Sequence, residues 1–229
     1  MSNSNLYSLF LDRFPNDADA LFLDHVNGGT LRYSEIQQRS GQMLSLMQQL
    51  GVRKGDRVVV QVEKSIEAVL LYLACLRAGA IYIPLNTAYT ASEVAYFLDD
   101  ATPGLFVCTP ARRDELGEVA VACGAPQILS LGMVGDGELM EALAPLPASD
   151  RIARVEADEL AAILDTSGTT GRSKGAMLSH ANLASNALVL FEAWHWQSDD
   201  VLLHALPIFH VHGLFVALHC ALLGGSRVI

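Results

Sequence analysis

The residues best equipped for chemistry lie in one short segment, Asp165-Thr166-Ser167-Gly168-Thr169-Thr170-Gly171-Arg172-Ser173-Lys174-Gly175. It combines hydroxyl side chains, three glycines, an arginine and a lysine. Glycine lets the backbone approach a ligand closely, and hydroxyls and free N–H groups donate to phosphate oxygens. Lys174 and Arg172 add positive charge. A hydrogen bond to a charged group is worth about 1.5–3 kcal/mol net, so a handful would hold a nucleotide triphosphate. The general phosphate-loop pattern GxxxxGK[ST] does not fit, because Ser173 and Gly175 stand where its second glycine and final hydroxyl belong. Two further candidates, His210 and His212, fall in a turn between a strand pattern and a helix pattern, where α/β sheets bind ligands. A His-Val-His spacing supplies too few ligands for a zinc site by itself, so no metal site is assigned.

The elements that must carry these residues alternate along the chain. Ser34 with Gln37 fits a capping box opening a helix that Gly51 stops. Arg57–Val62 is a strand, Ser65–Ala78 a deeply buried helix ended by Gly79, and Ala80–Ile83 a strand ended by Pro84. Thr90 and Glu93 form another capping box. Then come a strand at Leu105–Cys108, a helix at Asp114–Cys123 and a strand at Gln127–Leu131. Residues 132–154 are rich in Gly, Pro, Ala and Asp and read as a short helix within loops, the one candidate internal boundary. Leu160–Leu164 is a strand running into the glycine-rich loop, which leads to a helix at His180–Ala193. Val201–Leu206 is a strand and Gly213–Leu223 a helix. This order predicts an α/β fold with largely parallel sheets flanked by helices.

Composition narrows the function classes. Hydrophobic residues make up 51% and charged residues 17% of the 229, which excludes a disordered chain. Fifteen Lys and Arg against 25 Asp and Glu give a net charge of −10, which disfavours binding to nucleic acid or anionic membrane. The four cysteines form no CxxC pair and read as buried thiols in a reducing compartment. The N-terminus lacks a signal-peptide pattern, and no apolar run reaches the roughly 20 residues of a membrane span, so the expected location is cytoplasmic. Of the other histidines, His25 and His195 read as surface residues, His204 and His219 as packed residues, and His180 as structural at a helix start.

Thr166–Gly175, reading TSGTTGRSKG, resembles the TSGTTGxPKG signature loop of the adenylate-forming superfamily, which includes acyl-CoA synthetases, luciferases and peptide-synthetase adenylation domains. Supporting elements stand in the expected order: Leu31–Ile36 is similar to LTYxEL, Leu76–Leu85 to LKAGAxYVPL, and Pro207–Gly213 to PxFHxxG. Asp165 stands where the family often has Tyr, and Ser173 replaces the usual Pro. The Arg-Ser-Lys of the loop and the block Phe209–Ala217 resemble malonyl-CoA synthetases within that superfamily.

The resemblance implies a carboxylate that attacks ATP to give an acyl-adenylate and pyrophosphate, followed by displacement of AMP by the thiol of coenzyme A. It implies ATP, Mg2+ and coenzyme A as partners of the reaction. Thr166, Ser167, Gly168, Thr169, Thr170, Gly171 and Lys174 would hold the phosphates. His210, the one catalytic candidate, would meet the acyl-adenylate or gate the thiol path, with His212 and Arg172 beside the acyl pocket. Arg172 and Arg227 are the arginines near enough to meet a distal carboxylate. No YGxTE or TGD element occurs in the chain. Residues 1–229 are therefore expected to be the N-terminal part of the large adenylation domain, without the small C-terminal domain and inactive alone. The strand at Arg227–Ile229 is expected to lie open and to favour self-association. Two other readings stay open: a synthetase for a fatty or aryl acid, and a nucleotide-binding fragment with no catalysis of its own.

Overall fold

A computed structural model describes residues 3–25, 29–166 and 174–229, with Asp165 and Thr166 described by backbone alone. In chain order the elements are α1 (Leu6–Leu11), β1 (Leu21–Asp24), β2 (Thr30–Arg32), α2 (Tyr33–Gln49), β3 (Arg57–Gln61), α3 (Ile66–Ala78), β4 (Ile81–Pro84), α4 (Ala91–Ala101) and β5 (Leu105–Cys108). They continue with α5 (Arg113–Ala122), β6 (Ile128–Ser130), α6 (Glu138–Leu143), β7 (Leu160–Thr166), β8 (Lys174–Ser179), α7 (His180–Ala193), β9 (Val201–Leu202), α8 (His219–Gly224) and β10 (Arg227–Val228). One sheet has the order β6-β5-β3-β4-β7-β8, parallel except for the closing β7–β8 pair. The other has the order β2-β1-β10-β9, with β1, β10 and β9 parallel. The expected α/β architecture of mostly parallel sheets flanked by helices is what forms.

The larger sheet is apolar on both faces because both are covered. Val58, Val60, Leu105 and Val107 point into the core shared with α2 and α3. Their neighbours Val59 and Phe106 point the other way, onto Val94 and Phe97 of α4 and Leu116 of α5. Such period-2 alternation puts successive side chains on opposite faces.

At the centre lies α3, buried on nearly every side, and its Arg77 is 0% exposed. The Arg77 guanidinium donates to the carbonyls of Gln37 (2.6 Å), Ser149 (2.6 Å) and Arg151 (3.4 Å) and to the Ser40 hydroxyl (2.9 Å). It also lies 5.1 Å from the centroid of the Tyr7 ring, within cation–π range. Segment 147–153 is thereby drawn against α2, where Gly41 is required. A Cβ there would stand 2.6 Å from the Ser149 carbonyl oxygen, which packs directly on the helix. Asn5, the cap of α1, donates to the carbonyls of Leu76 (2.7 Å) and Ala153 (3.0 Å) and completes the junction.

Several expectations are corrected. The capping box of α2 is set by Glu35, which accepts from the Arg32 backbone N–H at 2.8 Å, whereas the Ser34 hydroxyl donates to Ala18. The segments α1, β1, β2 and β8 were not anticipated; the first three are too short to show a period. β9 ends at Leu202 rather than Leu206. The last helix is π-wound over His212–Leu218, with i→i+5 bonds, before α8. β10 is not an open edge: β1 and β9 pair with it on both sides, so the reason given for self-association does not hold. The Thr90–Glu93 capping box forms as expected. No helix among the described residues is long and apolar enough to cross a membrane.

Replacing Arg77 by Met takes the donor from three part-buried carbonyls and from the buried Ser40 hydroxyl, at about 1 kcal/mol each. Arg77→Met should lower stability by about 3 kcal/mol or more in urea unfolding. Arg77→Lys should fall between, since an ammonium cannot span the same acceptors.

Candidate active site

The glycine-rich segment joins β7 to β8, and these strands pair antiparallel in the register Leu164↔Ala176, Asp165↔Gly175 and Thr166↔Lys174. Thr166 and Lys174 thus stand opposite each other at the base of the loop. The loop spans a hairpin rather than leading straight from a strand into a helix. Ser167, Gly168, Thr169, Thr170, Gly171, Arg172 and Ser173 lie outside the described residues. β8 hands the chain to α7 through a capping box: the Ser179 hydroxyl accepts from Asn182 N–H, and Asn182 Oδ1 accepts from Ser179 N–H, both at 3.1 Å.

Against this hairpin lies the turn from Leu203 to Val211. Its shape depends on Gly213, where a Cβ would meet the Pro207 carbonyl oxygen at 2.2 Å. The His210 N–H donates back to Pro207 O at 3.4 Å, and the Leu214 N–H donates to His210 O at 3.1 Å. The exposed His210 ring packs on Phe209, with centroids 4.7 Å apart.

Hairpin and turn enclose one cavity of about 290 Å3. Leu164, Ala176 and Leu178 form its hairpin side, and Phe209, His210 and Phe215 face them. Asn182 and Asn186 close it from α7. The fold therefore brings His210 to the strands that bear the loop, while His212 is exposed and does not line the cavity. Arg227 is not available to a ligand carboxylate, because its guanidinium is paired with Asp24. Asn182 and Asn186 escaped notice in the sequence. Their i, i+4 spacing puts both amides on one helix face, but only the packing of α7 says which face looks inward. Among the described residues no group of three His, Cys, Asp or Glu side chains could hold a metal ion.

The remaining histidines are structural or peripheral. His180 is fully buried and its Nδ1 accepts the Leu6 N–H at 3.2 Å, so the ring is neutral there. Burial lowers its pKa to about 4, and that of His219, which contacts Tyr72 Oη at 2.8 Å, to about 3. His195 is exposed and His25 half-buried. The four cysteines are unpaired thiols, three of them buried.

The hairpin that bears the hydroxyl- and glycine-rich segment thus stands beside the histidine turn. The chain belongs to the AMP-binding enzyme family, whose model matches residues 10–229. The structure superposes on that of ATP-bound MatB from Rhodopseudomonas palustris with a TM-score of 0.94 and 46% identity, over 100% of this chain and 45% of that one. The mitochondrial malonate–CoA ligase ACSF3 of Mus musculus is 32% identical over 86% of this chain and 34% of its own length. A probable CoA ligase of Humulus lupulus, CCL9, is 32% identical over 86% of this chain and 38% of its own. The chain thus spans less than half the length of these relatives.

Two consequences are measurable. Gly213→Ala forces a methyl group against a backbone carbonyl, and overpacking of that kind costs about 1–3 kcal/mol, readable as a lowered urea midpoint. Secondly, His180 binds its proton less readily folded than unfolded, so the unfolded chain takes up protons first as pH falls. Stability is full above about pH 6.5 and declines toward pH 4, a window set by the lowered His180 pKa. His180→Gln, which keeps an acceptor for Leu6, should flatten that slope in urea titrations, leaving the part due to His219.

Proposed function

We propose that this chain supplies the phosphate-binding hairpin and one wall of the acyl pocket of an AMP-forming acyl-CoA synthetase acting on malonate or another short dicarboxylate. The observation that carries the reading is the shared cavity, bounded on one side by the strands bearing the Thr166–Lys174 loop and on the other by the His210 turn. A carboxylate oxygen attacks the α-phosphorus of ATP, the bond to pyrophosphate breaks, and an acyl-adenylate forms. The thiol of coenzyme A then attacks the acyl carbon, and AMP leaves. Thr166, Ser167, Thr169, Thr170 and Lys174 hold the β- and γ-phosphates, with Gly168 and Gly171 admitting them close to the backbone. This donor set suits anionic oxygens, and charge in such transfers is met by positioned donors and cations. Magnesium would supply further neutralisation on the phosphates. His210 borders the acyl group. The likeness to ATP-bound MatB and to malonate–CoA ligases supports both the nucleotide and the acid.

The second reading is a synthetase for an aryl or fatty acid. The apolar walls Leu164, Ala176, Leu178 and Phe215 favour it, and so does the commitment of Arg227 to Asp24. On the dicarboxylate reading, Arg172 would be the arginine to meet the distal carboxylate.

By calorimetry the 229-residue chain should bind ATP with Mg2+ but release no pyrophosphate at the rate of a complete synthetase. Lys174→Ala should weaken that binding about tenfold or more, the worth of one charge-assisted bond. A chimera completed with the MatB residues beyond the matched region should release pyrophosphate faster with malonate than with acetate or benzoate. Preference for benzoate selects the second reading, and absence of ATP binding overturns both.

A further inference from the structure

The turn Leu203–Val211 has an empty space on each side. In front is the cavity bordered by Phe209 and His210. Behind lies a second cavity of about 250 Å3, walled by Leu203, His204 and Ile208 of the turn and by Ile66 and Val69 of α3. Ile208 packs into the core, but its neighbours in the turn border voids, and a void forfeits the contacts of its lining atoms. The sheet holds only its first residues: β9 stops at Leu202, and the last strand-type bond is from the His204 N–H to the Ile229 carbonyl at 2.8 Å.

Polar tethers hold the rest of the turn. Lys64, in the loop before α3, donates from Nζ to the carbonyls of His204 (2.7 Å) and Leu206 (3.4 Å). These are carbonyls that a longer β9 would have given to a neighbouring strand. The His204 ring is 7% exposed, and its Nε2 lies 3.0 Å from the Gly213 carbonyl oxygen. A carbonyl only accepts, so Nε2 carries the hydrogen and donates. Lys64 therefore grips one end of the turn and His204 ties that end to the other, with Phe209 and His210 between. The half-buried ammonium and the buried imidazole are each directed at main-chain oxygen rather than at a charged partner side chain.

We propose that Lys64 and His204 are positioning residues that set the depth of the His210 turn in the acyl cavity, and so the size of acid accepted. This rests on the synthetase reading of that cavity. The position of the turn itself does not.

Hydrogen exchange on the 229-residue chain tests the tether without reference to activity. In Lys64→Met the amides of His210 and Leu214 should exchange about tenfold faster or more, the effect of losing a charge-assisted bond, while amides of α3 stay unchanged. Lys64→Arg, which keeps a donor, should restore protection, and His204→Phe should raise exchange at Leu214. Unchanged exchange in Lys64→Met, or an equal rise across the chain, overturns the proposal. In the MatB-completed chimera, Lys64→Met should raise KM for malonate several-fold and narrow the preference for it over longer acids, with KM for ATP unmoved. A parallel loss for both substrates would show general damage and overturn the positioning role. A chimera without activity, alongside the expected exchange pattern, would instead remove the synthetase reading and leave the tether standing.

Discussion

A cation in the middle of an apolar core must be met by oxygen, and Arg77 meets that demand with the main chain. Its donors reach carbonyls of α2 and of the segment near Ser149 and Arg151, while its face lies on Tyr7. Burying such a charge unpaired would cost several kcal/mol, so these partners are coupled by the penalty of losing any of them. The central helix, the N-terminal helix, α2 and the stretch leading to β7 are joined there. That stretch runs on into β7, and so the junction also anchors the edge hairpin that carries the hydroxyl- and glycine-rich segment.

From that frame the site is assembled at a sheet edge. Most of the larger sheet is parallel and covered on both faces, and only its last pair turns back as a hairpin. The residues that join these strands, 167–173, include hydroxyls, glycines and Arg172, in a chain whose net charge is −10. The acyl side is built differently. There the sheet ends early, a proline and a glycine shape a turn, and a π-wound segment leads away from it. π-wound turns interrupt a helix at modest cost and recur at functional sites. One half of the cavity is therefore held by regular pairing, and the other by a few side chains bonded to carbonyls.

Much of this was legible in the residues. Alternating β-branched runs and helical spacings mark β3, α3, β4 and β5 within a residue or so, because each is long or apolar enough to show its period. The Thr90–Glu93 box and the start of α7 at His180 are local hydrogen-bond patterns and were equally readable. The family was readable too, through the density of hydroxyls and glycines in residues 166–175 and their likeness to its signature. By contrast α1, β1, β2 and β8 carry little local signal; β2 and β8 form by pairing with the strand before each, and β1 also pairs with the distant β10.

What the sequence by itself determined is the chemistry on offer: hydroxyl and cationic side chains in residues 166–174, a histidine turn at 210, and an α/β order to present them. What only the tertiary structure decided is which residues share a space. It placed His210 on the cavity and left His212 outside, committed Arg227 to Asp24, brought Asn182 and Asn186 inward, and set β10 between two neighbours rather than at an edge. The physical reason is that the deciding partners are mostly backbone carbonyls and sheet neighbours. Every residue type carries the same carbonyl, so no motif records which one a buried arginine, lysine or histidine will reach.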